Sequence, residues 1–240
     1  MQNSFNDNKK VVKDYLDKYF YKGLSLSTTS QTTFNRLSFA QKRESLVDVV
    51  LKYGENNIYN ISEMISPQSF NQKPNACSFK LGYIENNTLY RGHLFNENFQ
   101  TSHYMIVYPN ISIPLNVSLQ EYVSSGKIST RDFTTSEILL ISKKRLLNYV
   151  TNELKINDNF LFDINNNSIK KILYEIKPKE AYLKAYIQGD AIYFNLVISK
   201  NKLYDLACGN WLISDNKRSN NIVVKKSLKK SLIKNNDNSK

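Results

Sequence analysis

The chain has 240 residues, 41% of them hydrophobic and 12% aromatic, with only 7 Gly and 5 Pro. That is enough apolar material for one folded domain with short appendages, and it excludes a disordered or low-complexity chain. Lys and Arg outnumber Asp and Glu by 33 to 21, a formal charge of +12 that draws a protein to nucleic acid, anionic membrane or phosphate-bearing ligands.

The first residues, MQNSFNDNKK, lack the apolar core of a secretory signal, and no run reaches the apolar length of a membrane span. A cytoplasmic chain is expected, or one that leaves its cell by a route that reads no such peptide. Val11, Val12, Tyr15, Leu16, Tyr19 and Phe20 recur at helical spacing, which predicts an amphipathic helix over 8–20; the Ser/Thr-rich stretch 24–33 predicts a loop. Ser38 with Gln41 forms a capping box and Gly54 a stop. The apolar face of Leu46, Val47, Val50 and Leu51 between them predicts a helix over 39–53. Asn60 with Glu63 predicts a second, shorter helix ending before Pro67, and 66–75 a loop.

From Ala76 the period shortens to two. Segments 78–84 and 88–95 flank Glu85-Asn86-Asn87 and predict a hairpin; Tyr104–Tyr108 predicts a strand closed by Pro109-Asn110. Ser118 with Glu121 starts a short helix that Gly126 ends. Glu137–Ser142 predicts a strand, and Lys143–Leu154 a basic amphipathic helix carrying Leu146, Leu147 and Val150. Phe160–Asp163 reads as a strand leading into the most strand-like stretch of the chain. There, segments 172–176, 181–187 and 191–198 are separated by Lys177-Pro178-Lys179 and by Gln188-Gly189-Asp190. Leu203–Ala207 and Trp211–Ser214 are short and apolar, with Trp211 expected in the core. From Asp215 the chain turns polar and basic, with Val224, Leu228 and Leu232 on one helical face among lysines. The fold class is α+β. A helical N-terminal part (1–75) belongs to the same domain as a β-rich core (76–214), whose split, mainly antiparallel sheet has flanking helices; a basic tail (215–240) follows.

Chemistry concentrates in two constellations. The first is Tyr90-Arg91-Gly92 on the second strand of the hairpin, then Phe133-Thr134-Thr135-Ser136 before a strand, then Glu180 at the head of another. Arg91 to Thr135 spans 44 positions and Thr135 to Glu180 spans 45. An Arg beside Gly can present its guanidinium fork to a pyrophosphate. The order resembles the Arg, Ser-Thr-Ser, Glu signature of the mono-ADP-ribosyltransferase family over roughly Thr88 to Val197, although Pro178-Lys179-Glu180 stands where members carry Glu-x-Glu or Gln-x-Glu. The resemblance implies a split sheet with NAD bound in its cleft as co-substrate. Arg91 would hold the NAD phosphates or the adenine-side ribose, and Thr134 or Thr135 would position the nicotinamide ribose and the glutamate. Tyr90 or Phe133 would pack on the nicotinamide. Glu180 would bind the ribose 2′-hydroxyl and stabilise the oxocarbenium-like charge as the glycosidic bond breaks. A protein target would receive the ADP-ribose. The polar, Ser/Asn-rich start suits an effector or toxin delivered to a host cell by a signal-peptide-independent secretion system.

The second constellation is Asp163 with Glu175-Ile176-Lys177, which resembles the restriction-nuclease core. Two carboxylates there hold Mg²⁺ and the Lys orients water, and residues 175 and 177 share a sheet face by the period of two. On that reading the chain cuts or binds nucleic acid. A third reading is an interaction module without catalysis. Cys77, Cys208, His93 and His103 have no metal-ligand spacing, so two reduced thiols are expected. The basic segment 222–234 is a candidate contact for anionic membrane or nucleic acid.

Overall fold

The computed structural model describes residues 2–27, 32–54, 56–65, 70–71, 74–166, 173–214 and 223–226. The chain opens on a helical rod in three parts: α1 (Gln2–Tyr15), a π-helical stretch Leu16–Tyr21, and α2 (Lys22–Ser27). The wider π turn lets Leu16, Phe20 and Tyr21 all reach the core. The rod thus runs beyond the expected 8–20, into part of the expected loop.

The next segments correct the sequence reading. The helix expected over 39–53 is helical only in α3 (Phe39–Ser45). Its capping box forms as expected, but Leu46 takes a left-handed conformation (φ 55°) and ends it after two turns. Val49-Val50-Leu51 then forms β2 (Val49–Tyr53), between β1 (Thr32–Arg36) and β3 (Asn57–Ile65). The short helix expected at Asn60–Glu63 is the middle of β3. These residues satisfy both the helical and the strand pattern over so few positions, and pairing decided between them. The N-terminal part is therefore half sheet.

Downstream, β4 (Ala76–Glu85) and β5 (Thr88–Arg91) form the expected hairpin; Asn86 and Asn87 both take positive φ, as a two-residue turn requires. β6 (His103–Ile111) runs straight through Pro109. Then follow α4 (Leu119–Ser124) with its capping box, β7 (Phe133–Ser142), α5 (Lys143–Asn148) with a second π stretch Tyr149–Glu153, and α6 (Asp158–Asn166). Asp163 is thus on a helix, not at a strand end. β8 (Leu173–Lys177), β9 (Ala181–Gln188) and β10 (Ala191–Ser199) are the expected strands, followed by α7 (Lys200–Leu206), β11 (Ala207–Ser214) and β12 (Val223–Lys226). β12 pairs with β11, so this part of the expected tail is an edge strand of a sheet; residues 215–222 and 227–240 lie outside the described residues.

The strands form two sheets. Seven run in the order β1-β2-β3-β6-β7-β11-β12 and five in the order β5-β4-β10-β9-β8. Every pair is antiparallel except β3 with β6. One core lies between the sheets, where Phe79, Leu81, Ile106, Leu139, Leu183 and Phe194 meet Leu146, Tyr149 and Leu161 from α5, the second π stretch and α6. A second lies on the other face of the larger sheet. There Val12, Leu16, Phe20 and Tyr21 cover Val49, Ile61, Met105, Val107 and Ile138. The order is helix, seven strands, five strands, and the outer face of the smaller sheet meets solvent. No helix among the described residues is long and apolar enough to cross a membrane.

Candidate functional site

Arg91 is the last residue of β5, an edge strand. Gly92 lets the chain pass against β4, because a Cβ there would stand 2.5 Å from the Lys80 carbonyl oxygen. The Gly92 N–H donates to Leu81 at 2.6 Å, and a tight turn follows in which the Asn96 N–H donates back to Gly92. That turn carries Leu94 into the core, packs Phe95 against it and leaves Glu97 at a rim facing α5 and α6. Across the rim, the Nε and Nη2 of Arg91 donate to one carboxylate oxygen of Asp158, at 3.2 and 2.6 Å. Asp158 opens α6, and the Asn157 side chain beside it caps the helix by accepting from the Phe160 N–H.

Two clefts meet at Arg91. One, of about 500 Å³, has an apolar floor of Leu94, Phe95 and Leu147 and a polar rim that includes Lys143, Glu97, Asp158, Asn157 and Asn159. The other, of about 400 Å³, runs along the open edge of β5 past Leu89, Tyr90 and Asn96–Asn98. Lys143, the first residue of α5, is only 9% exposed. Its ammonium donates to the Asn96 carbonyl at 3.0 Å. Burial lowers its proton affinity, opposed by the charge of Glu97. Burial, with the charges of Lys80 and Lys143, also holds His93 below its usual range, so that imidazole is neutral at pH 7.

The other members of the first constellation lie elsewhere. Thr134 and Thr135 are on β7 in the larger sheet, where the Thr134 hydroxyl donates to the Asn110 carbonyl at 3.4 Å and the Thr135 hydroxyl accepts from the Asn110 side chain at 2.8 Å. Phe133 is buried and stacked on Tyr15 at 4.2 Å, so it is a core residue rather than a ring for nicotinamide. Glu180 occupies the turn between β8 and β9. It accepts from the Tyr149 hydroxyl at 3.2 Å and pairs with Lys177 at 3.0 Å and Lys202 at 3.6 Å. The bond from Lys177 chiefly holds its carboxyl below the usual range. Arg91 shares a cross-strand row with Ala185, three strands away, and Glu180 is five residues further along β9. At about 4.8 Å per strand and 3.3 Å per residue, their Cα atoms are roughly 20 Å apart. Arg91 and Tyr90 stay together; Thr134, Thr135 and Glu180 do not join them.

The second constellation does not assemble. A bulge sets Glu175 opposite Tyr182 but Lys177 opposite Ala181, and so turns the two onto opposite faces. Glu175 faces solvent, while Lys177 turns inward to Glu180 and Glu153. Asp163 is exposed on α6. Among the described residues no group of three His, Cys, Asp or Glu side chains is placed to hold a metal ion.

On the solvent face of the smaller sheet, Tyr90, Tyr83, Tyr193 and Tyr186 occupy one cross-strand row over β5, β4, β10 and β9. Their rings stack at centroid separations of 4.7, 5.1 and 5.3 Å with planes within 26°. Beside them runs a row of Lys80, Asn195 and Lys184. The Lys80 ammonium stands 5.5 and 5.3 Å from the Tyr83 and Tyr193 centroids. Of these residues only Tyr90 belongs to either constellation; Tyr83, Tyr186, Tyr193, Lys143 and Asp158 do not. The tyrosines had a signal: each pair sits three residues either side of a two-residue turn. Lys143 and Asp158 had none, because burial and a partner 67 positions away are not local properties.

No protein-family model, no curated protein and no solved structure matches the chain.

Proposed function

We propose that this protein binds a ribonucleotide-type ligand in the paired clefts at Arg91. One observation carries the reading: a nine-tenths-buried lysine and an arginine face two carboxylates across an apolar floor. Each part suits one part of a nucleotide. Lys143 has donors to spare beyond its one carbonyl bond, and Arg91 has its Nη1 group beyond its bonds to Asp158; both suit phosphate oxygens. Asp158 and Glu97 suit ribose hydroxyls, the pairing that acidic residues make in dinucleotide sites. Leu94, Phe95 and Leu147 suit the face of a base, and Asn157 and Asn159 its polar edge.

The two cations and two carboxylates leave the rim without net charge. A triphosphate would be poorly matched there, whereas ADP-ribose or NAD brings two riboses for its two phosphates. Thr135 and Glu180 line neither cleft, so the reading is binding, without ADP-ribose transfer through Glu180. Calorimetric titration with ADP-ribose, NAD and AMP tests it. Arg91→Ala should weaken binding about ten- to a hundredfold, the worth of a charged hydrogen bond. No heat with any of the three at millimolar concentration, or an Arg91→Ala protein that binds like the parent, would sink the reading.

A further inference from the structure

The tyrosine row has no role in that site beyond its first ring. It lies on an open sheet face, and its cations differ from those fixed in ion pairs. Lys13, Arg36, Lys42, Arg91, Lys177, Lys200 and Lys202 each pair with a carboxylate. Lys80 and Lys184 flank Asn195 in the next row and, among the described residues, pair with none. Glu85 shares this face at one corner, and Glu175 stands diagonally from Lys184 on the edge strand β8 without forming an ion pair with it. The middle of the face thus sets two ammoniums, unpaired among the described residues, beside four phenol hydroxyls spaced about one strand apart.

We propose that this face carries a single strand of nucleic acid, laid across the strands along the tyrosine row, with Lys80 and Lys184 on its phosphates. The inner rings are engaged face to face, so they offer hydroxyl edges, which donate to phosphate or ribose oxygens; they do not offer stacking surfaces. Tyr90 ends the stack on the edge strand and is 44% exposed, so its free ring face takes one base. Tyr90 also lines the outer cleft at Arg91. A strand leaving the row over the edge of β5 therefore enters the site proposed above, and only this last contact rests on that reading. The contacts involve phosphate, sugar and one unspecific stack, so binding tolerates any sequence and weakens with salt. A strand of about four nucleotides, at the low end of sheet-bound site sizes, covers the row and the cleft. The net charge of +12 adds long-range attraction.

Fluorescence anisotropy with labelled oligo-dT and oligo-U of four, eight and twelve nucleotides tests this on the full chain, beside the ADP-ribose titration. Lys80→Glu/Lys184→Glu should weaken oligonucleotide binding at least tenfold more than Lys52→Glu/Lys127→Glu, which makes the same change of charge at exposed sites off this face. It should leave ADP-ribose binding unchanged, and Tyr90→Ala should weaken the oligonucleotide further. Equal losses from the two double variants would overturn the proposal, since binding would then follow net charge or the basic C-terminal residues. Equal competition by polyglutamate would overturn it too, in favour of an acidic protein partner. ADP-ribose binding with oligonucleotides no tighter than AMP defeats this inference and spares the nucleotide site. Oligonucleotide binding through Lys80 and Lys184 without ADP-ribose binding does the reverse.

Discussion

The two outer faces of the molecule use charge in opposite ways. Under the N-terminal helix, Asp48 accepts from Lys13 at 2.7 Å, from Lys42 and from the Glu63 N–H at 2.9 Å. Arg36 forks onto Glu63 at 2.7 and 2.9 Å and onto Asp17 at 2.8 and 2.6 Å, and Tyr21 donates to Glu63 at 3.0 Å. Three cations meet three carboxylates, and the Asp48 and Glu63 side chains are 2% and 0% exposed. On the tyrosine face Lys80 and Lys184 are exposed and, among the described residues, form no ion pair. A buried charge persists only when paired and hydrogen-bonded, so the first set is fixed in place and spent on holding helix to sheet. The second set is free to meet a ligand. Formal charge is therefore a poor guide to function until the paired part is subtracted.

The largest expected effect breaks the paired set. Asp48→Ala strands Lys13, Lys42 and the Glu63 N–H, and breaking one partner of a buried pair costs about 3–5 kcal/mol. Urea unfolding should show a lower midpoint, with the N-terminal helix the first element to lose amide protection. A loss below about 0.5 kcal/mol would mean the network holds nothing. The same group sets an acid limit. Burial alone would raise the Asp48 carboxyl, but the bonds from Lys13 and Lys42 reverse this and hold it below its ordinary value. A folded value below the unfolded one, about 3.9, gives stability that is fully present above that pH. It is lost as pH falls through the folded value. Melting in the parent should therefore fall steeply below about pH 4, and in Asp48→Asn less so.

Next in size is Gly92→Ala. The added methyl meets the Lys80 oxygen at 2.5 Å and the Leu81 carbonyl carbon at 2.7 Å, both backbone atoms that cannot swing aside. The end of β5 must shift, at an overpacking cost of about 1–3 kcal/mol. Because Arg91 is the neighbouring residue, ADP-ribose affinity should fall more than the stability loss explains. Hydrogen exchange should report loosening confined to β5 and the turn after it. Unchanged exchange there would show that the cleft does not depend on this close approach.

Much of the smaller sheet was legible in the sequence, and the reason is local. Its hairpins β4–β5 and β9–β10 close on two-residue turns, Asn86-Asn87 and Gly189-Asp190, so turn chemistry sets the register directly. The same symmetry places Tyr83 opposite Tyr90 and Tyr186 opposite Tyr193, a pairing open to anyone counting from the turns. The larger sheet hid because β3 pairs in parallel with β6, about 42 residues on, and no short pattern announces that. Val49–Leu51 and Asn60–Glu63 read as helix for the same reason. Glu175 and Lys177 obey the period of two until a bulge breaks it, and one extra residue moves a side chain to the other face. Tyr90-Arg91-Gly92 lies within the strand expected over 88–95, whereas β5 ends at Arg91, and the pairing of Arg91 with Asp158 had no local signal.

A smaller effect is expected from ending the chain at Ser214. β12 contributes four residues paired to Trp211–Ser214. Its removal turns β11 into an edge, with Leu212 already 44% exposed. The buried Ile213 and the partly buried Trp211 keep their contacts to the helix side. The shortened protein should fold, with a loss of about 1 kcal/mol, and should aggregate faster at high concentration because an unpaired strand edge recruits others. Retained secondary structure by circular dichroism with a new concentration-dependent scattering signal is the expected pair of readings. An unfolded product would make residues beyond Ser214 part of the core.

The smallest effect on stability should come from the lysines that matter most for the proposed strand. Lys184 is exposed, faces Asn195 and Leu173 across the strands, and has no ion pair among the described residues to lose. Lys80 stands over the shared edge of two rings, a contact worth about 0.5–1 kcal/mol at an exposed site. Other surface substitutions away from caps and networks stay within about 0.5 kcal/mol. Lys80→Glu/Lys184→Glu should therefore unfold in urea within about 1 kcal/mol of the parent, against the several lost at Asp48. Added salt sharpens the contrast. The Asp48 network is shielded from ions by burial, so its contribution should survive 0.5 M NaCl, whereas any anion held by Lys80 and Lys184 should be released there. A double variant that loses as much stability as Asp48→Ala would show the tyrosine face to be a structural network as well, and would remove the distinction on which its free charge rests.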